Sequence, residues 1–267
     1  SDGNSANAFH RSVPVVSTDG RLVVFTHLAS NLAPRDTNNR TDVFVRDVRT
    51  GTTGLVSRRD PSLASSTAHG RIGDSGLASL SADGKTVVFS TAAKDVVPGL
   101  ATPNLNGSAD YSVFLRDLSG VGETTRLVPD AEQSWISASG RYVVFFSYDY
   151  EGLLIPNDTN DDRDLYRLDL ETSDVEFVNV SNNEVQANGD SWDSITSPPI
   201  SANGRFVVFT SDATNLVAGE TNGQRDIFVR DLELGTTTRV SVSNTGVQSN
   251  QPSYSPSISA DGRFVVF

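Results

Sequence analysis

Ser17-Thr-Asp-Gly-Arg-Leu-Val-Val-Phe25 is a phrase that this chain repeats four more times. It returns as Ser81-Ala-Asp-Gly-Lys-Thr-Val-Val-Phe89, Ser137-Ala-Ser-Gly-Arg-Tyr-Val-Val-Phe145, Ser201-Ala-Asn-Gly-Arg-Phe-Val-Val-Phe209 and Ser259-Ala-Asp-Gly-Arg-Phe-Val-Val-Phe267. Its glycines, Gly20, Gly84, Gly140, Gly204 and Gly262, are spaced 64, 56, 64 and 58 residues apart. A near-constant period of this kind marks a stacked array of small structural units.

A second phrase follows each of the first four copies. It reads Asp42-Val-Phe-Val-Arg-Asp47, Ser112-Val-Phe-Leu-Arg-Asp117, Asp164-Leu-Tyr-Arg-Leu-Asp169 and Asp226-Ile-Phe-Val-Arg-Asp231. A third closes each unit over Thr52 to Ser57, Thr124 to Val128, Val175 to Val180 and Thr236 to Val242. Each unit therefore reads as a four-stranded antiparallel meander. A short strand A, such as Pro256 to Ser259, leads into the Asp-Gly or Asn-Gly turn, where the sequence predicts positive φ angles of a tight hairpin. Strand B, with its Val-Val-Phe, is apolar on both faces and suits a strand covered on both sides. Strand C alternates, and strand D is Thr-rich, as an outer edge should be. No segment shows a helical period with caps. The units fall at about 13–57, 77–128, 134–180 and 198–242, with strands A and B of a fifth at 256–267.

The fold class expected is all-β, a β-propeller of four-stranded antiparallel blades. These phrases resemble the TolB-like propeller repeat, a relative of the WD-repeat propellers, over nearly the whole chain. The resemblance implies a radial array with strand A nearest the axis. It also implies an exported or envelope setting, and use as a binding platform or as the partner of a catalytic domain. Ser139 and Asn203 depart from the family's turn Asp, and the connection from strand B to strand C is longer than usual and rich in Asp and Asn. Both chain ends fall within the repeat, since Asp2-Gly3 aligns with Thr245-Gly246. That points to a segment of a larger propeller or tandem array, or to ends that pair with each other or with a neighbouring chain.

Composition narrows the partners. With 267 residues, a formal net charge of −12 and no Cys, the chain has no disulfides or thiolate metal sites. A strongly acidic surface repels phosphate backbones, so nucleic acid is not expected as a partner. No apolar run approaches the roughly 18 residues of a membrane span. Extracellular or cell-surface placement is expected, with the periplasm as the alternative.

The loops between strands B and C hold the most suggestive side chains: Asp36, Asn38 and Asp42; Asp158, Asn160, Asp162 and Asp164; and Glu220, Asn222 and Asp226. Alternating oxygen ligands suit a hard cation such as Ca²⁺. Equally, Asp and Asn at such places form Asx-turns that satisfy loop amides. Asp47, Asp117, Asp169 and Asp231 mimic the twelfth position of an EF-hand, but strand C carries them roughly 16 Å away at about 3.3 Å per residue. Each is expected to cap the turn into strand D instead. Glycosylation sequons stand at Asn39, Asn106, Asn157 and Asn179.

Nothing reads as a catalytic set. His10, His27 and His69 occupy unrelated positions, and no Gly-x-Ser-x-Gly nucleophile elbow occurs. Trp135 and Trp192, at or before strand A, are read as packing residues, with a place in a central-channel pocket as the alternative. The basic residues after each turn, Arg21, Lys85, Arg141, Arg205 and Arg263, are expected to pair with rim carboxylates. The function expected is a non-enzymatic scaffold or binding propeller, part of an adhesin-like or fibre-forming surface assembly. Its partners would be other propeller units or proteins, including self-association through blade edges. The alternatives are a ligand- or protein-binding domain of an exported protein and, lesser, a propeller enzyme or peptidase-gating domain.

Overall fold

The computed structural model describes residues 13–34, 36, 40–58, 75–93, 96–98, 111–120, 122–149, 154–155, 158–160, 162–191, 198–219 and 222–267. The first blade holds β1 (Val15–Val16), β2 (Leu22–His27), β3 (Asp42–Asp47) and β4 (Thr52–Leu55). The second holds β5 (Ser75–Leu80), β6 (Thr86–Thr91), β7 (Ser112–Asp117) and β8 (Thr124–Val128). In the third are β9 (Ala131–Ile136), β10 (Tyr142–Ser147), β11 (Asp164–Asp169) and β12 (Val175–Phe177). The fourth contains β13 (Phe206–Ser211), β14 (Asp226–Asp231) and β15 (Thr236–Arg239), and a lone bridge from Ile200 to Val207 stands for its first strand. β16 (Ser257–Ile258) and β17 (Val265–Val266) form a two-stranded fifth sheet. Every strand pairs antiparallel with its sequence neighbour within the blade, and no helix occurs among the described residues.

The twin valines of strand B explain how the blades stack. Adjacent strand residues point to opposite faces, so one valine faces the preceding blade and the other the following one. Val24 packs in one cluster with Val87 and Phe89 of the second blade. Val88 packs with Val143 and Phe145 of the third, and Val144 and Phe146 with Val207 and Phe209 of the fourth. Val208 packs with Val265 of the fifth. Four junctions use one scheme. Strand-B residues at the inner junctions, such as Val87, Val143 and Val207, are fully buried. Each such side chain contributes about 1.5–3 kcal/mol.

The turn between strands A and B shows why its motif repeats. Gly20 N donates to Ser17 O at 2.8 Å and Ser17 N to Leu22 O at 2.9 Å, closing a four-residue loop. Ser17 Oγ accepts from Leu22 N at 2.9 Å and donates to Asp19 Oδ1 at 2.6 Å, while Arg21 N donates to the same Asp19 oxygen at 3.0 Å. Only the glycine takes a positive φ, 70–79° across the five copies, so this is not the two-residue hairpin turn expected. The Asp stays in ordinary backbone space because its task is to accept hydrogen bonds. Ser139 Oγ and Asn203 Oδ1 do the same in their turns, which is why the motif tolerates them.

These turns also join one another. Thr18 N donates to Ala82 O at 3.0 Å, Ala82 N to Ala138 O at 3.0 Å, Ser139 N to Ala202 O at 3.0 Å and Ala202 N to Ala260 O at 2.8 Å. The last four turn glycines, Gly84, Gly140, Gly204 and Gly262, each lie against the preceding blade, next to Leu22, Ser81, Tyr142 and Phe206 in succession. A Cβ on Gly204 would stand 2.0 Å from the Tyr142 ring, whereas one on Gly20 would meet nothing within 4 Å. Both glycines have left-handed φ, +79° and +70°. Gly20→Ala should therefore cost only the backbone strain, about 1–2 kcal/mol. Gly204→Ala should cost about 1–3 kcal/mol more through overpacking. Urea unfolding of the two variants measures the difference, and equal losses would remove the close turn-to-ring contact from the account.

Candidate functional site

At the start of strand C in three blades stands a fully buried carboxylate: Asp42, Asp164 and Asp226. Each is held by the residue fifteen places on, at the end of strand D. Ser57 Oγ donates to Asp42 at 2.6 Å, Ser241 Oγ to Asp226 at 2.5 Å, and Asn179 Nδ2 to Asp164. The same side chains accept the next strand-C amide: Val43 N to Ser57 Oγ at 3.0 Å, Leu165 N to Asn179 Oδ1 at 3.1 Å and Ile227 N to Ser241 Oγ at 3.1 Å. A side chain has taken over a ladder bond. That is why the regular strands end at Leu55, Phe177 and Arg239, short of the expected boundaries. The second blade has Ser112 in place of the Asp, and its strand D stays paired to Val128 across a shift of register beside Leu127.

In the loop before Asp164, the polar side chains of Asp158, Asn160 and Asp164 are engaged by the fold. Gln186 Nε2 donates to Asp158 Oδ1 at 2.6 Å and to Asp164 Oδ2 at 2.7 Å. Tyr166 Oη donates to the other Asp158 oxygen. Asn160 Oδ1 accepts from Asp162 N at 3.0 Å, an Asx-turn, and its amide donates to Ala187 O at 2.8 Å. Asn222 repeats this, with Gln224 N at 2.8 Å and Ser249 O at 2.8 Å, and also donates to Asp226 Oδ2 at 3.1 Å. An amide N–H₂ thus lies where a cation bridging Asp158 and Asp164 would bind. Among the described residues no three His, Asp or Glu side chains converge as a metal site. At Asn160 and Asn222 the loop geometry is that of Asx-turns. Asp36 is buried and has its own interactions, and Asn38 and Glu220 lie outside the described residues.

Gln186 was not singled out by sequence, although a signal exists. Ser181-Asn-Asn-Glu-Val-Gln-Ala-Asn188 returns as Ser243-Asn-Thr-Gly-Val-Gln-Ser-Asn250. Both segments fold back through bridges, Val180 to Gln186 and Val242 to Gln248. Beside the first opens a cleft of about 530 Å³, lined by Ile155, Val175, Phe177 and Val185 with Glu176 and Glu184 among its polar groups. Glu176 pairs with Arg167, and Glu184 with the buried Arg230 at 2.5 Å.

The remaining residues have structural places. Arg21, Arg141 and Arg205 pair with Asp47, Asp169 and Asp231 at 2.7, 2.6 and 2.7 Å, whereas Lys85 turns to Asp83 at 3.3 Å. Asp47 also accepts Arg49 N and Thr50 N, capping the turn into β4 as expected. Exposed pairs of this kind contribute little to stability. Trp135 is buried edge-on to Phe146, with ring centroids 6.2 Å apart, and is core rather than channel lining. His27 Nδ1 accepts Ala29 N at 2.8 Å. Asn179 is wholly buried, with its amide donating to Asp164 and, at 2.9 Å, to Ser191, so a glycan there would require unpacking the blade. Asn39, Asn106, Asn157, His10, His69 and Trp192 lie outside the described residues.

No protein-family model matches the chain, and no curated protein matches it by sequence. Solved structures do. A putative TolB from Agrobacterium tumefaciens is 18% identical with a TM-score of 0.51, over 94% of this chain and 71% of that one. An oligogalacturonate lyase in complex with manganese is 13% identical with a TM-score of 0.53, over 99% and 59%. TolB from Acinetobacter baumannii is 18% identical with a TM-score of 0.49 over 95% of this chain, which spans only 47% of that protein's length. The chain is an all-β, TolB-like β-propeller. At these identities the likeness defines the fold alone.

Burial pushes the Asp164 carboxyl up to about 6, and the neighbouring Asp158 charge adds to this, against hydrogen bonds from Asn179 and Gln186. A folded pKa above the unfolded 3.8 gives stability that is present below pH 4 and lost as the pH rises through about 6. Asp47 moves the other way, held at about 2 first by Arg21, so its contribution is lost as the pH falls below 4. Stability should peak near pH 4–5 and fall by roughly 3 kcal/mol towards pH 7. Chemical denaturation between pH 4 and 7 should show Asp164→Asn flattening that fall. An unchanged slope in the variant would assign it to another group.

Proposed function

We propose that this chain is a non-catalytic propeller segment that serves as a scaffold or protein-binding platform within a larger extracellular or cell-surface assembly. One observation carries the reading. The acidic side chains that recur in three of the blades are engaged in closing strand C onto the end of strand D within each blade, as with Asp42, Asp164 and Asp226. What repeats is architecture, and repeated architecture suits stacking and display. The TolB-like fold supports a ligand- or protein-binding role in general, and an exported protein of the periplasm is the alternative setting.

A second reading, a small-ligand propeller, is favoured by the cleft beside Gln186. Its volume of about 530 Å³ lies within the range of about 300–1,000 Å³ usual for ligand pockets, and its lining mixes apolar side chains such as Phe177 with the polar Thr159, Glu176, Glu184 and Gln186. The likeness to a manganese-bound lyase makes the enzyme question concrete. Incubation with oligogalacturonate, with and without Mn²⁺ or Ca²⁺, should yield no unsaturated product by ultraviolet absorbance. The same ions should leave the melting temperature unchanged. Turnover would overturn the non-catalytic reading, and a metal-dependent rise in melting temperature would restore the cation site.

A further inference from the structure

The outer edge of the third blade differs from the others in composition. Three blades carry an Arg–Thr pair across strands C and D. Arg46 Nη1 donates to Thr53 Oγ1 at 2.9 Å, Arg116 Nη1 to Thr124 Oγ1 at 2.7 Å and Arg230 Nη1 to Thr237 Oγ1 at 3.3 Å. In the third blade the facing residues are Leu168 and Val175. A polar rim has become apolar in this blade alone.

The edge also differs in what covers it. In the fourth blade Thr237 N donates outward to Asn182 Oδ1 at 2.5 Å, and Arg230 reaches Ser181 O at 3.4 Å and Glu184 at 2.5 Å. Those acceptors stand on the fold-back that follows strand D of the third blade. One blade's connection thus caps the next blade's edge. Among the described residues the third blade receives no such cap, because β8 passes to β9 through Pro129 and Asp130 alone, too short for a fold-back.

Hydrogen-bond alternation gives this open edge its direction. Asp169 N bonds Asp174 O and Val178 N bonds Leu165 O. Glu176 therefore turns its backbone groups inward to β11, and Val175 and Phe177 turn theirs outward. Among the described residues neither Val175 N nor Phe177 N has a hydrogen-bond partner. Both residues line the cleft described above, together with Val185, which is 54% exposed. Glu176 and Glu184, also in its lining, keep exposed carboxylates although each holds an arginine.

We propose that the edge of β12 is a docking site for an extended peptide segment of another protein, with alternate apolar and basic side chains. The segment would pair with the outward backbone groups of Val175 and Phe177, as added strands do at open sheet edges. Glu176 stands on the opposite face of β12 from Val175 and Phe177, so an alternating segment matches both faces. Its apolar side chains would enter the cleft beside Phe177 and Val185, and its cations would meet Glu176 and Glu184 on a chain of net charge −12. An extended chain is the occupant because the same edge of the fourth blade already holds one, the segment 180–184. This inference names the kind of partner for the protein-binding reading and rests on it.

An acetylated, amidated peptide of alternating lysine and valine is the probe, titrated into the full chain by fluorescence anisotropy and by residue-resolved amide exchange. It should bind saturably and protect the Val175 and Phe177 amides. Glutamate in place of its lysines should weaken binding on the order of tenfold or more. Val185→Asp should do the same, as should Val175→Pro, which removes an outward donor that the sheet itself does not use. Val48→Asp, at an exposed position of the first blade, should leave the affinity unchanged. No binding at about 1 mM peptide would overturn the proposal. Equal binding of the glutamate peptide, or binding that leaves both amides unprotected, would overturn it too. A chain that binds no peptide and shows no turnover of oligogalacturonate rejects this edge and leaves the non-catalytic reading in place.

Discussion

The structure depends on the contact between successive A–B turns. A backbone N–H of one turn reaches the carbonyl of the next, and the next turn's glycine lies against the side chains that bracket the first. Hydrogen bonding alone would contribute only about 1 kcal/mol per junction. Its importance is geometric, because it sets the offset at which the twin valines of each strand B meet the following blade. With that offset fixed, Val24, Val88, Val144 and Val208 all face their successors, and five separate sheets are joined through four apolar layers.

A second constraint acts at the other end of each blade. Asp42, Asp164 and Asp226 are buried where a lone carboxylate would be costly, and each is tolerated because a Ser or Asn from strand D bonds it while also accepting a strand-C amide. Polar chemistry here closes a sheet edge. In the third blade the device extends further, through Asn179 to Ser191 and on to Ser211 of the fourth blade at 3.0 Å. The described acidic residues of these loops are therefore part of the fold.

Much of this was legible in the residues. The Val-Val-Phe strand, the strand-C phrase and the Ser-x-Asp-Gly turn gave the blades, and strand C begins and ends where its phrase does. The twelfth-position Asp was correctly placed at the turn into strand D, because strand length alone carries it there. Three things were not legible. The turn glycine was read as a purely local device, since its approach to Tyr142 or Phe206 lies across a gap of about sixty residues. Gln186 is not legible because it reaches Asp158 and Asp164 from the connection after strand D, 28 and 22 residues away in sequence, as an amide donor rather than as an oxygen ligand. Asn179 matches a glycosylation pattern, but a three-residue pattern carries no information about burial.

The most direct measurement of the central claim is amide hydrogen exchange, resolved by residue, in dilute solution. The account predicts that Ala82 and Ala202, whose N–H groups bond the next turn, exchange only with global unfolding, while Ala260, in the same motif without that partner, exchanges orders of magnitude faster. Equal and rapid exchange at all three would contradict it, because the turns would then be ordinary exposed hairpin loops and the blades would be held by their apolar faces alone.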